Sequence, residues 1–239
     1  MNYLIEPEKG QWLAVKESIN KSSLRHKILS SEVCISDFDG TDVYSPIGMV
    51  AVYFNPSHLA SPRYLGWAIK SFATWLVRSK SVDNAWQYYQ NHFLDKKERI
   101  RVAQRLGHRM MNWLLYPGVK ELYATMPMHK AYVTRNVHEI VTKFANYVGV
   151  NEVIAGVTNK KKTVEELIKT RAFRHFLYKA DDKPEEEEVL DMLRHYQKRG
   201  NICPISLMRS DSPKDTSKFD VVTGKNYHCL VDVLRGLSY

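Results

Sequence analysis

The chain has 239 residues, 44% apolar and 26% charged, the make-up of an ordinary globular protein able to bury one good core, or a core plus a small accessory domain. Its formal charge of +9 favours anionic partners, either a phosphorylated small molecule or nucleic acid. No apolar run nears the roughly 20 residues that cross a bilayer, the opening MNYLIEPEKG lacks a basic flank and an apolar signal core, and the odd, scattered cysteines Cys34, Cys203 and Cys229 argue against a disulfide or zinc framework. A cytoplasmic setting is therefore expected.

In chain order, residues 11–29 place Trp12, Val15, Ile19, Leu24 and Ile28 at helical spacing and predict a packing helix. The apolar run Val33–Ser36 then predicts a buried strand ending at Asp37, with Asp39 aimed the same way by alternation and Gly40–Thr41 supplying the turn. Carboxylates that close either bind a divalent cation or divide the roles of nucleophile and acid/base, because both do not stay charged without compensation. From 62 to 115 the apolar period is three to four, predicting helices over 62–78, 82–93 and 96–115.

An α/β rhythm resumes with a turn and helix from Tyr116 to Leu122 and a strand Ala131–Val133 that ends at Thr134. The helix through Val137, Ile140, Val141, Phe144 and Val148 follows, so Thr134 stands where a hydroxyl and unpaired backbone amides meet an anion. Glu152–Val157 reads as the next strand, Thr163–Glu166 as a capping box opening a helix behind Lys160, Lys161 and Lys162, and Lys183–Pro184 as the start of a helix over 185–199. Ile202–Met208 reads as a strand running into Asp211 and Asp215, two acids suited to one direct magnesium ligand and one supporting partner. Phe219–Val222 and a helix through Leu230 and Leu234 close the core.

The segment Asp37–Phe38–Asp39–Gly40–Thr41 resembles the first motif of the haloacid dehalogenase-like (HAD) superfamily of phosphohydrolases and phosphotransferases. The resemblance implies an α/β fold with a doubly wound, mostly parallel sheet formed by residues 1–45 and 116–239, with 1–30 as an N-terminal helical extension and 46–115 as an inserted α-helical cap. It implies a Mg2+-dependent phosphatase, with Asp37 attacking phosphorus to form an aspartyl phosphate and Asp39 protonating the leaving group and then activating water. Thr134 and a lysine hold the phosphoryl oxygens; Lys183, in the commoner lysine-proline spelling, is favoured, with Lys161 and its neighbours in reserve. The metal falls to Asp37, the Asp39 carbonyl and Asp211, with Asp215 supporting, and Ser210 departs from the glycine usual before that aspartate. In the family the cap selects the substrate, which directs attention to Arg63, Trp67, Lys70, Tyr88 and Arg109.

Cys203 and Arg209 have the spacing of a cysteine phosphatase loop, but the residues between them lack glycine and read as a strand. The alternatives to a phosphatase are a catalytically silent HAD-fold binding or regulatory protein and, further off, a nucleic-acid-binding protein, which the dispersal of the basic residues disfavours. The expected partner is a phosphorylated small molecule, with no membrane.

Overall fold

The computed structural model describes residues 2–8, 11–44, 62, 65–66, 69, 95–181, 184–210, 218–224 and 226–237. Eight strands form one sheet: β1 (Asn2–Glu8), β2 (Gln11–Val15), β3 (Val33–Ser36), β4 (His129–Val133), β5 (Glu152–Ile154), β6 (His175–Ala180), β7 (Cys203–Arg209) and β8 (Val221–Thr223), in the order β1-β2-β8-β7-β6-β3-β4-β5. The six from β8 to β5 run parallel, whereas β2 is antiparallel to β8 and β1 to β2. The described helices are α1 (Lys21–Leu29), α2 (Lys96–Arg105), α3 (His108–Leu114), α4 (Val119–Thr125), α5 (His138–Val148), α6 (Lys160–Arg171), α7 (Pro184–Lys198) and α8 (His228–Arg235). None is long and apolar enough to cross a membrane.

Successive strand residues feed two cores. Cys34 and Leu177 join one cluster, with Leu24 and Ile28 of α1, Leu122 and Tyr123 of α4, Phe144 of α5 and Leu230 of α8. Val33, Ile35, Phe176 and Tyr178 join the other, with Val164 and Leu167 of α6 and Val189 and Leu193 of α7. Helices therefore cover both faces, which is why β3 is buried from end to end and reads as an apolar run rather than an alternating one, and why β6 is buried from Phe176 to Ala180. From β3 the chain builds outward through β4 to β5, then returns to the other side of β3 with β6 and builds outward through β7 to β8. The crevice beyond the carboxyl ends of β3 and its neighbours is the switch point where such sheets take ligands.

Three expectations change. The apolar residues of 11–29 divide between two elements: Trp12, Leu13, Ala14 and Val15 are buried in β2 against both cores, and α1 starts only after Asn20, whose side chain accepts from the Ser23 amide. Burial on both faces favours a strand, and the helical spacing ran across a turn. The helix expected over 96–115 breaks at Leu106–Gly107 into α2, capped by Asp95 on the Glu98 amide, and α3. Unexpected altogether is β6, which sits between β3 and β7; Lys179 within HFLYKA interrupts its apolar pattern. The expected helices 62–78 and 82–93 and most of 46–115 lie outside the described residues, as do Arg63, Trp67, Lys70 and Tyr88, while Arg109 is exposed on α3. Cys203 and Arg209 occupy opposite ends of β7, about 20 Å apart at strand rise, so the cysteine phosphatase spacing is that of a strand.

Two local features carry measurable consequences. Asp220 joins β2, β7 and α7: it accepts from Arg194 Nη2 at 2.8 Å, from the Ser206 amide and hydroxyl at 2.9 Å each, and pairs with Lys16 at 3.0 Å. Burial alone would raise its pKa, but Arg194, the Ser206 amide and Lys16 together hold it below the ordinary 3.8. Since the folded value is depressed, this stabilisation is present above about pH 4 and is lost as pH falls through the folded value. Asp220→Asn is expected to cost about 1–3 kcal/mol at pH 7, measured by urea unfolding, with the gap to the native chain closing below pH 4. Gly118 has φ +83°, and a Cβ there would stand 2.9 Å from the His228 amide nitrogen at the start of α8. Gly118→Ala is expected to lower stability by more than the roughly 1 kcal/mol of left-handed strain alone, because backbone does not yield as a side chain does.

Candidate active site

Asp37 is the first residue beyond β3, and its amide donates to the Lys179 carbonyl of β6 at 2.8 Å. Its carboxylate is buried: Oδ1 accepts from Lys160 Nζ at 2.6 Å and Oδ2 from Thr41 Oγ1 at 3.1 Å. The turn that follows is closed by the Asp42 and Val43 amides donating to the Phe38 carbonyl at 3.0 and 3.2 Å, and Gly40 adopts φ +81° within it. Phe38 anchors the turn in the core, edge-on to Tyr132 and Phe144. Asp39 is half-buried and turned toward β4, where Asn136 Nδ2 donates to both of its carboxylate oxygens at 2.9 and 3.0 Å and the Thr134 hydroxyl stands 3.5 Å away. Thr134 Oγ1 also accepts from the Asn136 amide, and Asn136 Oδ1 accepts from the amide of Val137, where α5 begins.

Lys160 opens α6, whose cap is Asn159 accepting from the Lys162 amide. Its side chain is buried between Asp37 and Glu186, with which it also forms an ion pair, and Glu185 lies 3.9 Å off. Burial opposes the charge on Lys160, yet Asp37, Glu186 and Glu185 hold its pKa above the ordinary lysine value. Glu186, in the first turn of α7, is fully buried and accepts from the Tyr178 hydroxyl of β6. Burial first, and then the charges of Asp37 and Asp181 against the opposing pull of Lys160, push its carboxyl up to about 7.

Asp181 is buried in the first position past β6. One carboxylate oxygen from each of Asp37, Asp181 and Glu186 lies within 4.8 Å of the other two. Register explains the meeting: Ser36 of β3 pairs with Lys179 of β6, so the two chains leave the sheet side by side. Three buried, hard oxygen donors this close suit a divalent cation such as magnesium. Arg135 and Glu185 form an ion pair between the loop after β4 and the first turn of α7.

Of the residues singled out from the sequence, Asp37, Asp39 and Thr134 are brought to one edge of the sheet, and the lysine that meets Asp37 is Lys160. Lys161, its neighbour, is exposed, because at the start of α6 only one of the consecutive lysines faces the sheet. Lys183, Asp211 and Asp215 lie outside the described residues, and Ser210 is buried at the end of β7. β7 is separated from β3 by β6, and among the described residues the carboxylates that come to Asp37 are Asp181 and Glu186, which sequence reading missed along with β6 itself. The signal was present: Phe-Leu-Tyr is a strand-forming run, and it ends in Asp181–Asp182 as Val33–Ser36 ends in Asp37.

No family model matches the chain, and no curated protein does. Among solved structures, a HAD-hydrolase, YfnB of Bacillus subtilis, described as bound to magnesium, is similar with a TM-score of 0.46 at 12% identity, over 86% of this chain and 99% of that one. A haloacid dehalogenase-like hydrolase from Burkholderia xenovorans is similar with a TM-score of 0.45 at 15% identity, over 84% and 97%. DsGPDH of Dunaliella salina is similar with a TM-score of 0.58 at 11% identity, over 91% of this chain and 38% of that one, so the chain spans less than two fifths of that protein's length. At such identity the likeness is one of fold, and what this chain shares with the Dunaliella protein is an α/β architecture.

Proposed function

We propose that the chain is a magnesium-dependent phosphohydrolase of the HAD-like kind, acting on a phosphate monoester through an aspartyl phosphate. The observation that carries the reading is the buried contact of Lys160 Nζ with Asp37 Oδ1 at 2.6 Å beside Asp181 and Glu186. A carboxylate so placed is a poor general base but a well-aimed nucleophile, since the ammonium offsets charge on both carboxylate and incoming phosphate.

In this reading an Asp37 oxygen forms a bond to phosphorus as the ester P–O bond breaks, and Asp39 delivers a proton to the departing alkoxide. A water oxygen then attacks phosphorus, the Asp37–phosphate bond breaks, and Asp39 takes up the water's proton. Asn136, bonded to both Asp39 oxygens, holds that carboxyl toward β4. Lys160 and the Thr134 hydroxyl hold the phosphoryl oxygens. Asp37, the Asp39 carbonyl and Asp181 would hold magnesium, with Glu186 pairing to Lys160; we assign Asp181 the role that sequence reading gave Asp211, because β6 lies beside β3. Bound there, magnesium would supply charge neutralisation to the phosphate. Residues 46–115 act as the cap that selects the phosphorylated small molecule and excludes water.

The test is phosphate release from an aryl phosphate and a panel of phosphorylated metabolites, with magnesium or with chelator. Turnover is expected only with metal, and Asp37→Asn is expected to reduce it by roughly three orders of magnitude or more. Metal-dependent turnover that survives Asp37→Asn would falsify the aspartyl-phosphate route, and none on any ester by folded protein would leave a silent binding module. Lys160→Met is expected to lower kcat/KM about 10²–10³-fold and, by leaving Asp37 and Glu186 buried without their cation, to cost about 3–5 kcal/mol in urea unfolding. Loss of stability with turnover unchanged would assign Lys160 to the fold alone.

A further inference from the structure

On the opposite face of the sheet from Glu186 lies a second buried polar cluster that the proposed chemistry does not use. Lys179 of β6 and Asp42 of the turn after β3 are both fully buried and form an ion pair. The hydroxyls of Tyr123 on α4 and Tyr132 on β4 donate to the same Asp42 oxygen, Oδ2, at 2.5 and 2.8 Å. Burial pushes both phenol pKa values well up, which keeps them donors. Lys179 Nζ also donates to the Tyr123 hydroxyl at 3.2 Å and stands 4.6 and 4.5 Å from the ring centres of Tyr123 and Tyr227. Two more side chains reach the same turn: the Tyr227 hydroxyl donates to the Thr41 carbonyl at 2.7 Å, and Arg209 Nε of β7 to the Gly40 carbonyl at 2.6 Å. The Arg209 guanidinium is stacked 4.2 Å from the Tyr116 ring centre.

Three members are tied by sequence to site residues. Lys179 stands two residues before Asp181, Tyr132 two before Thr134, and Asp42 shares its turn with Asp37, Asp39 and Thr41. Stability alone does not account for such a cluster, since taking an ion pair out of water costs free energy that apolar side chains of like volume do not incur. What the pair adds is direction, because a charge pair and its hydrogen bonds are satisfied in one arrangement whereas apolar packing tolerates several.

We propose that Asp42 and Lys179, with Tyr123, Tyr132, Tyr227 and Arg209, are positioning residues that lock the turn bearing Asp37 and Asp39 to the ends of β4 and β6, and so set the distance from Asp37 to Asp181 for magnesium. This rests on the metal site proposed above.

The experiment compares the native chain with Lys179→Met, with the double variant Asp42→Asn/Lys179→Met and with Tyr227→Phe. Lys179→Met leaves a buried carboxylate without its ammonium and is expected to lower Tm by roughly 6–20 °C. The double variant removes both charges, keeps an acceptor for the two tyrosines and regains most of that loss. It is nevertheless expected to bind magnesium, titrated calorimetrically, roughly 10–100-fold more weakly. The amides at position 42 and at Val43, which bond to Phe38 in the native chain, exchange with solvent about tenfold faster in it while those of α7 keep their protection. Tyr227→Phe shifts both readings the same way by a smaller factor, and it decides the matter where the double variant does not fold. Native magnesium affinity and native protection of the turn in either folded variant overturn the proposal. If the native chain itself binds no magnesium, the metal reading fails, and exchange at the turn then judges the positioning role alone.

Discussion

Burial of carboxylates at the edge shared by β3 and β6 is the constraint on which the rest of the site depends. Asp37, Asp181 and Glu186 converge there within 4.8 Å with almost no access to water, and like charges so close are tolerated only when something compensates them. Lys160 supplies compensation by entering from the start of α6, and the Glu186 carboxyl is pushed up to about 7, first by burial and then by the charges of Asp37 and Asp181. The chemistry proposed above would draw on that crowding, since a hard cation and a phosphate together would bring charges of both signs into the same space.

The strand β6 mediates between this edge and the core beneath it. Consecutive residues point to opposite faces of a strand, so Tyr178 reaches Glu186 under α7 while Lys179 reaches Asp42 on the side of α4 and α8. One strand thereby anchors the helix that carries Glu186 and the turn that carries Asp37. The arrangement also accounts for a lysine in a central strand, which apolar patterning alone would reject. Asp39 is held separately, through Asn136 and Thr134 beyond β4, so its orientation depends on a different neighbour of β3. The two aspartates of the motif are thus set from opposite sides of one strand.

Much of this was legible in the chain before it was folded. Val33–Ser36 followed by Asp37, Asp39, Gly40 and Thr41 determined a buried strand with carboxylates at its exit, because an apolar run with no alternation requires cover on both faces and a glycine marks the turn. Ala131–Val133 followed by Thr134, and the amphipathic pattern of α5, were equally local. The sequence by itself therefore determined the α/β character and three of the residues at the site edge. Only the tertiary structure decided which lysine and which acids join them. Lys160, Lys161 and Lys162 are equivalent as letters, and the choice of Lys160 comes from the phase of α6 against the sheet. Asp181 and Glu186 are drawn in because β6 returns to pair with β3 across a separation of more than a hundred residues, and neither strand order nor register is encoded in any one segment. Those are properties of how the strands compete for neighbours, which is settled when the two cores close on both faces of the sheet.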